Sequence, residues 1–280
     1  MKEIDFDTIV KQVGTACIEA NCVIQEDVAS VIQTALEKEE SPISRTILEQ
    51  ILKNHDLARE KMLPLCQDSG MPVVFVEMGQ DVRIVGGLLE DAISEGVRRG
   101  YAEGGLRHSV VANPLTRRSA GDNAPAVIHM SHVPGERLKI LVSPKGAGSE
   151  NMGGLGMLSP DEGEAGVRRF VINLVKRAGS NPCPPVIIGV GIGGTFEQCA
   201  LLATKALTRP IGSPNPKLEL AHLEESLLEE VNKLGIGAMG LGGRVTALAV
   251  HIETFPCHAA SLPVAVDFNC HAARRKEIVL

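Results

Sequence analysis

The chain has 280 residues, 44% of them hydrophobic and 22% charged, a balance that excludes disorder and allows a large core. A formal net charge of −6, with six Phe, one Tyr and no Trp, argues against a basic nucleic-acid face and against aromatic platforms for single strands. No apolar run approaches the ~20 residues that span a bilayer, and the start, MKEIDFDTIV, has no signal-peptide core, so a soluble cytoplasmic chain is expected.

In chain order, the first sixty residues read as helices. Ile9, Val10, Val13 and Cys17, then Val28, Val31, Ile32 and Ala35, recur at helical spacing. Ser41-Pro42 interrupts the pattern and 43–58 resumes it. A strand is expected over 72–78 and a helix over 87–99, closed by Arg98, Arg99 and Gly100. Strands over 126–133 and 138–142 flank Pro134-Gly135-Glu136-Arg137, which reads as a hairpin turn. Ser159-Pro160-Asp161-Glu162 has the form of a capping box with Pro at the first helical position, and that helix should stop at Gly179. A short strand over 186–190 follows, then a helix capped by Thr195 and running to Leu207. A turn-rich connection over 209–216, a helix over 218–234 and strands over 245–252 and 263–268 complete the pattern. The expected fold is α/β in mixed α+β layers: a helical N-terminal layer over 1–60 packed on mixed sheets, in a single globular domain spanning 1–280.

Glycine is abundant, with 29 residues, so the backbone must turn sharply or approach its neighbours closely in many places. Gly189-Val190-Gly191-Ile192-Gly193-Gly194 fits a dinucleotide fingerprint in form. The acidic second strand that such a site needs is missing, since Arg209-Pro210-Ile211-Gly212 follow the helix. A nicotinamide-dependent oxidoreductase is therefore a remote alternative. Close approach of a helix to a ligand or to another backbone explains these glycines better. Lys145-Gly146-Ala147-Gly148 follows a strand and suits a small carboxylate, although a plain surface turn fits the spacing equally well.

The seven cysteines are odd in number, scattered and without C-x-x-C, which argues against disulfide frameworks, zinc ribbons and thioredoxin chemistry. Cys17, Cys22 and Cys199 lie in or beside helices and read as small core residues. Cys66, Cys183, Cys257 and Cys270 sit in irregular segments, where ligands and nucleophiles are found. Chemistry alone leaves an iron–sulfur cluster, a zinc site or scaffold, and a thiol enzyme all open.

Five blocks, PLCQDSG, GGLRHSVVANPL, SPKGAGSENMGGL, NPCPPVIIGVGIGGTFE and HAASLPVAVDFNCHAARR, in this order resemble the iron–sulfur (class I) fumarase family. The likeness runs from about residue 40 to the C-terminus. It is narrowest to the separate α subunit of two-subunit members, among them tartrate dehydratases. The resemblance implies a [4Fe–4S] cluster held by Cys66, Cys183 and Cys270, with Cys257 outside the ligand set. It implies that Gln67 and Asp68 contact substrate, with Asp68 in proton transfer, and that Arg107 grips a substrate carboxylate. Lys145, Gly146 and Gly148 would line the substrate, and His258 would stand beside the open iron. The implied activity is a hydro-lyase interconverting (S)-malate and fumarate, with L-tartrate dehydration as the alternative. The implied partners are a dicarboxylate substrate, a separate β subunit that completes the active site, and a second α copy in an α2β2 assembly. The chain ends ten residues past Cys270, so the second domain of single-chain relatives is expected on another polypeptide.

Overall fold

The computed structural model describes residues 1–280. Eight α-helices are formed: α1 (Phe6–Cys22), α2 (Glu26–Lys38), α3 (Pro42–Lys61), α4 (Leu89–Glu103), the single turn α5 (Ala147–Glu150), α6 (Gly163–Ala178), α7 (Phe196–Ala206) and α8 (Leu218–Asn232). Ten strands accompany them: β1 (Lys2–Asp5), β2 (Met71–Gly79), β3 (Val82–Val85), β4 (Val127–Val133), β5 (Leu138–Lys145), β6 (Gly154–Leu158), β7 (Val186–Gly193), β8 (Ala247–Phe255), β9 (Leu262–Asn269) and β10 (Lys276–Val279). The mixed α/β class is as expected. None of the helices is long and apolar enough to cross a membrane. The chain divides into two compact units, one of Met1–Ile24, His55–Ala147 and Arg274–Leu280, the other of Gln25–Asn54 and Gly148–Ala273. The N-terminal helices are shared out accordingly: α1 belongs to the first unit, α2 to the second, and α3 passes from the second into the first at His55.

In the first unit, Asp5 starts α1 by accepting from the backbone N–H of Asp7 (2.9 Å) and Thr8 (3.3 Å), which satisfies two orphan donors of the first turn. The buried stripe Ile9, Val10, Val13 and Cys17 meets Ile93, Val97 and Tyr101 of α4 and the inward residues of β2 and β5. The helices cross closely because Gly14 and Gly100 face each other. A Cβ on Gly100 would lie 2.8 Å from Gly14 Cα. The sheet has the order β10-β5-β2-β4. The expected hairpin over 126–142 is not formed. β2 lies between β4 and β5, parallel to the first and antiparallel to the second, so the Pro134–Arg137 turn joins strands that are not neighbours. His55 is buried in this unit, and burial pushes its imidazole down to about 4 from an ordinary 6.5. The unfolded ring takes up a proton that the folded one refuses. Its contribution is therefore complete above pH 6.5 and is lost as pH falls toward 4, by about 3 kcal/mol at most. His55→Leu should flatten the fall of unfolding free energy between pH 6.5 and 4 in urea titrations, and an unchanged slope would remove His55 as its source.

The second unit carries the sheet β6-β9-β7-β8, with β7 parallel to β8 and antiparallel to β9. Val186, Ile188 and Val190 of β7 point to one face, against Val171 and Val175 of α6 and Leu227 and Val231 of α8. On the other face β7 presents Gly189 and Gly191, and α7 packs directly on them. A Cβ at these positions would run into the carbonyls of Ala203 and Cys199. The G-x-G pattern is thus a strand built without side chains so that a helix can approach, not a turn around a pyrophosphate. Ser159 and Glu162 form the expected capping box, on a 3₁₀ turn (Pro160–Glu162) that leads into α6, and Gly179 at φ 55° ends that helix.

Candidate functional site

The segment between α3 and β2 holds Cys66, Gln67 and Asp68 and has no regular structure of its own, yet it is firmly fixed in the first unit. Tyr101 donates its hydroxyl to the carbonyls of Ser69 (2.8 Å) and Gly70 (3.1 Å), and the Asn123 amide donates to Gly70 O (2.9 Å). Arg274 Nη1 donates to the Asp68 carbonyl (2.6 Å) and to Asn21 Oδ1 (3.0 Å). Burial raises the Tyr101 phenol, so it stays a donor. Gly70 turns the chain at φ 75°, where a Cβ would come within 2.8 Å of the Lys145 backbone. Such buried, partnered contacts fix the course of a loop that has no ladder of its own.

This frame fixes the Asp68 carboxylate. Oδ1 accepts from Gly70 N–H (3.0 Å) and the Ser109 hydroxyl (3.4 Å), while Oδ2 accepts from Ala147 N–H (2.9 Å). Gly146 leaves space beside it, for a Cβ there would stand 3.3 Å from both Asp68 Oδ2 and Arg274 Nη2. Arg107 is brought nearby through its own backbone, whose N–H donates to Ser69 Oγ (3.1 Å), and its side chain is exposed. Gln67 is exposed and its Oε1 lies 3.3 Å from Cys66 Sγ. Lys145 differs from the expectation of an open turn cation. It ends β5 opposite Met71 and is only 6% exposed. Gly148 is the second residue of α5, belongs to the second unit and is exposed.

Arg274, Tyr101, Asn123 and Ser109 escaped sequence reading as parts of this arrangement. The HAARR block offered a signal for Arg274: two successive arginines follow a segment with no helical or strand period. Arg274 proves to be 4% exposed with Nε unbonded, a cation kept inside at some cost.

The cluster implied by the resemblance needs thiolates. Burial pushes Cys17 up to about 12, Cys199 up to about 11 and Cys22 upward as well, so these three are poor ligands. Cys66, Cys183 and Cys270 are half-exposed, none is in a disulfide, and each stands in a loop. Within the second unit the strand register brings two of them together. Ile187 of β7 pairs with Asn269 of β9, so Cys183, just before β7, and Cys270, just after β9, lie at the same end of the sheet. Cys183 turns at φ 55° there. The donor set therefore suits iron–sulfur ligation in chemistry, with Cys66 carried by the first unit. Neither unit alone gathers three His, Cys, Asp or Glu side chains into a metal cage.

His258 departs from expectation. It lies in the loop between β8 and β9, and β8 runs parallel to β7, with Phe255 opposite Gly193. This loop thus emerges at the other end of the sheet from Cys183 and Cys270. His258 is exposed, as is Cys257 beside it.

Comparison with known proteins finds relatives that this chain matches over most of their length. A protein of Methanocaldococcus jannaschii, provisionally named L(+)-tartrate dehydratase subunit alpha, is 44% identical over 264 residues, 92% of each chain. The L(+)-tartrate dehydratase subunit alpha of Escherichia coli strain UTI89 is 34% identical over 253 residues, 89% of this chain and 83% of that one. Its counterpart in strain K12 is 33% identical over 258 residues, covering 91% and 85%. The family model "Fumarate hydratase (Fumerase)" matches residues 10–279, a span that takes in the Cys66 loop, both four-stranded sheets and the Cys270 end, and on that match the chain belongs to the fumarate hydratase family.

Proposed function

We propose that the chain is the cluster-bearing α subunit of a two-subunit hydro-lyase that acts on a C4 2-hydroxydicarboxylate, with (S)-malate and fumarate as first substrate pair. Family membership supports the reaction class, a hydro-lyase of the class I type. The observation that carries the reading is the Asp68 carboxylate, held by three donors one residue after Gln67 and two after Cys66. The relatives named as tartrate dehydratase subunits favour L(+)-tartrate as a second substrate reading, by the same chemistry. Their names as alpha subunits also support a separate β subunit.

Dehydration breaks a C–O bond at one carbon and a C–H bond at its neighbour, forms the C=C bond and releases water. Cys66, Cys183 and Cys270 would hold a [4Fe–4S] cluster, which supplies a Lewis acid at its open iron for the departing hydroxyl. Arg107 offers a planar fork to one substrate carboxylate, the geometry that an ammonium lacks. Asp68 gives or takes the proton at its carboxylate, and its backbone donors hold it in one orientation while it does so. Gln67 binds beside it. One arginine matches only part of a dianion and one carboxylate serves only one proton transfer, so the remaining cations and the second proton-transfer group fall to the β subunit.

The test is anaerobic purification of the chain with and without its β subunit. Fumarate formed from malate, or oxaloacetate formed from L(+)-tartrate, should appear with both subunits and not with either alone. Comparing kcat/KM for the two acids decides the substrate. Full activity of the α chain alone would overturn the divided site.

A further inference from the structure

We propose that Arg274 touches the substrate: its Nη2 and Asp68 Oδ2 hold one oxygen between them, that of the hydroxyl the reaction removes or of the water that replaces it. The inference rests on the hydro-lyase reading above. Arg274, Asp68 and Gly146 all belong to the first unit. Arg274 is buried, and burying a guanidinium is costly unless its donors and its charge are answered. They are answered on one side only. Both of its side-chain hydrogen bonds leave from Nη1, to the Asp68 carbonyl (2.6 Å) and to Asn21 Oδ1 (3.0 Å), and Nε is buried without a partner. Nη2 bonds no atom of the chain, and no carboxylate pairs with the charge. An arginine fixed by one nitrogen to the loop that carries Asp68 thus keeps the other for a ligand.

The place for that ligand is the one that Gly146 leaves open. A Cβ there would stand 3.3 Å from Arg274 Nη2 and 3.3 Å from Asp68 Oδ2, so a single atom fits between the two. Gly146 is not among the glycines at positive φ, so its missing side chain answers to space and not to backbone conformation. It is half-buried, and Ala147 and Gly148 after it are exposed, so the gap opens outward. Hydrogen bonds run at about 2.9 Å, and an oxygen at that point reaches both groups with a few tenths of an ångström of adjustment. The flanking atoms decide its kind. Nη2 only donates, whereas the carboxylate Oδ2 only accepts, as it already does from Ala147 N–H (2.9 Å). A carboxylate oxygen would suit Nη2 but brings no hydrogen for Oδ2 and sets two anions side by side. A hydroxyl or a water gives its hydrogen to Oδ2 and a lone pair to Nη2. In malate the one such oxygen is the hydroxyl, and in fumarate hydration it is the water that adds.

The experiment uses the anaerobically assembled α–β complex. Gly146→Ala sets a methyl in the gap at an ordinary backbone conformation. It should lower kcat/KM ~10- to 100-fold, the range of one hydrogen bond to a charged group, with cluster absorbance and circular dichroism unchanged. Arg274→Lys keeps the charge but has one nitrogen for two tasks, the Asp68 carbonyl and the gap. Its KM for the hydroxy acid should rise about tenfold, the loss of that one contact, while inhibition by succinate, a dicarboxylate without the hydroxyl, stays within twofold. A purely structural arginine would weaken both acids alike. A crystal structure of the complex with the hydroxy acid should show its hydroxyl oxygen within about 3.2 Å of both Nη2 and Oδ2, and with succinate a water there. Wild-type kcat/KM in Gly146→Ala overturns the proposal, as does equal weakening of the two acids in Arg274→Lys. A carboxylate oxygen in the gap, or no oxygen, overturns it too, and each of these results leaves the hydro-lyase reading standing. A wild-type complex that dehydrates neither malate nor L(+)-tartrate would remove that reading and this proposal with it.

Discussion

Serine at Cys66, Cys183 or Cys270 is expected to abolish the visible absorbance of the anaerobically reconstituted chain, and serine at Cys17, Cys22, Cys199 or Cys257 to leave it in place. The distinction follows from where each sulfur stands. A cluster takes thiolates, and a thiol shut away from water resists ionisation. Burial holds Cys17 near 12 and Cys199 near 11, and Cys199 already donates to the Gly191 carbonyl (3.2 Å) beneath α7. Serine at these two should cost stability, since a hydroxyl replaces a packed apolar sulfur, but not iron. Cys257 is exposed and lies with His258 at the end of the sheet away from Cys183 and Cys270, so its loss should not matter to the cluster. Serine keeps a hydrogen-bonding group of similar size at the three loop positions, and circular dichroism should remain that of the parent. Absorbance near 400 nm with iron and sulfide analysis is the readout. A chain that loses its cluster with Cys257→Ser and keeps it with Cys270→Ser would overturn the ligand set.

What could be read from the sequence and what could not divides along a physical line. The buried stripes of α1 and α2, the capping box at Ser159 and the stop at Gly179 are local and periodic, and the fold follows them closely. The Pro134–Arg137 turn misleads because turn chemistry is local while strand order is not. β2, more than fifty residues earlier in the chain, takes the place between β4 and β5. β1, β3 and β10 are four-residue strands that owe their existence to a neighbour's hydrogen bonds rather than to a period of their own. The Cys66-Gln67-Asp68 loop was visible as a block, but not the groups that hold it, because Arg274 stands 206 residues from Asp68 and Asn123 is 53 from Gly70. His258 shows the same limit. Its block is plain in the sequence, while the end of the sheet to which it belongs depends on β8 running parallel to β7.

Asp68→Asn is expected to lower kcat by ~100-fold or more while the cluster, read by its absorbance, remains. The amide keeps the shape of the side chain and removes the group that gives or takes the proton. It also meets a surrounding built for an acceptor. Gly70 N–H and Ala147 N–H both point at the carboxylate oxygens, and an amide can offer oxygen to only one of them. The other donor would face an NH2 group, at a cost of about 1–3 kcal/mol, so some loss of thermal stability should accompany the loss of rate. Serine 109 separates the two effects. Ser109→Ala removes only the longer contact to Oδ1, at 3.4 Å, and should disturb the loop slightly while leaving the carboxylate to work, with kcat within a few-fold of wild type. Arg107→Lys makes a further contrast. It keeps the charge and loses the fork, and because its backbone N–H to Ser69 is retained the loop stays in place. Its effect should fall mainly on KM. The three variants together thus assign proton transfer to Asp68, position to its neighbours and carboxylate binding to Arg107. Unchanged kcat in Asp68→Asn with the complete α–β complex would take Asp68 out of the proton-transfer step.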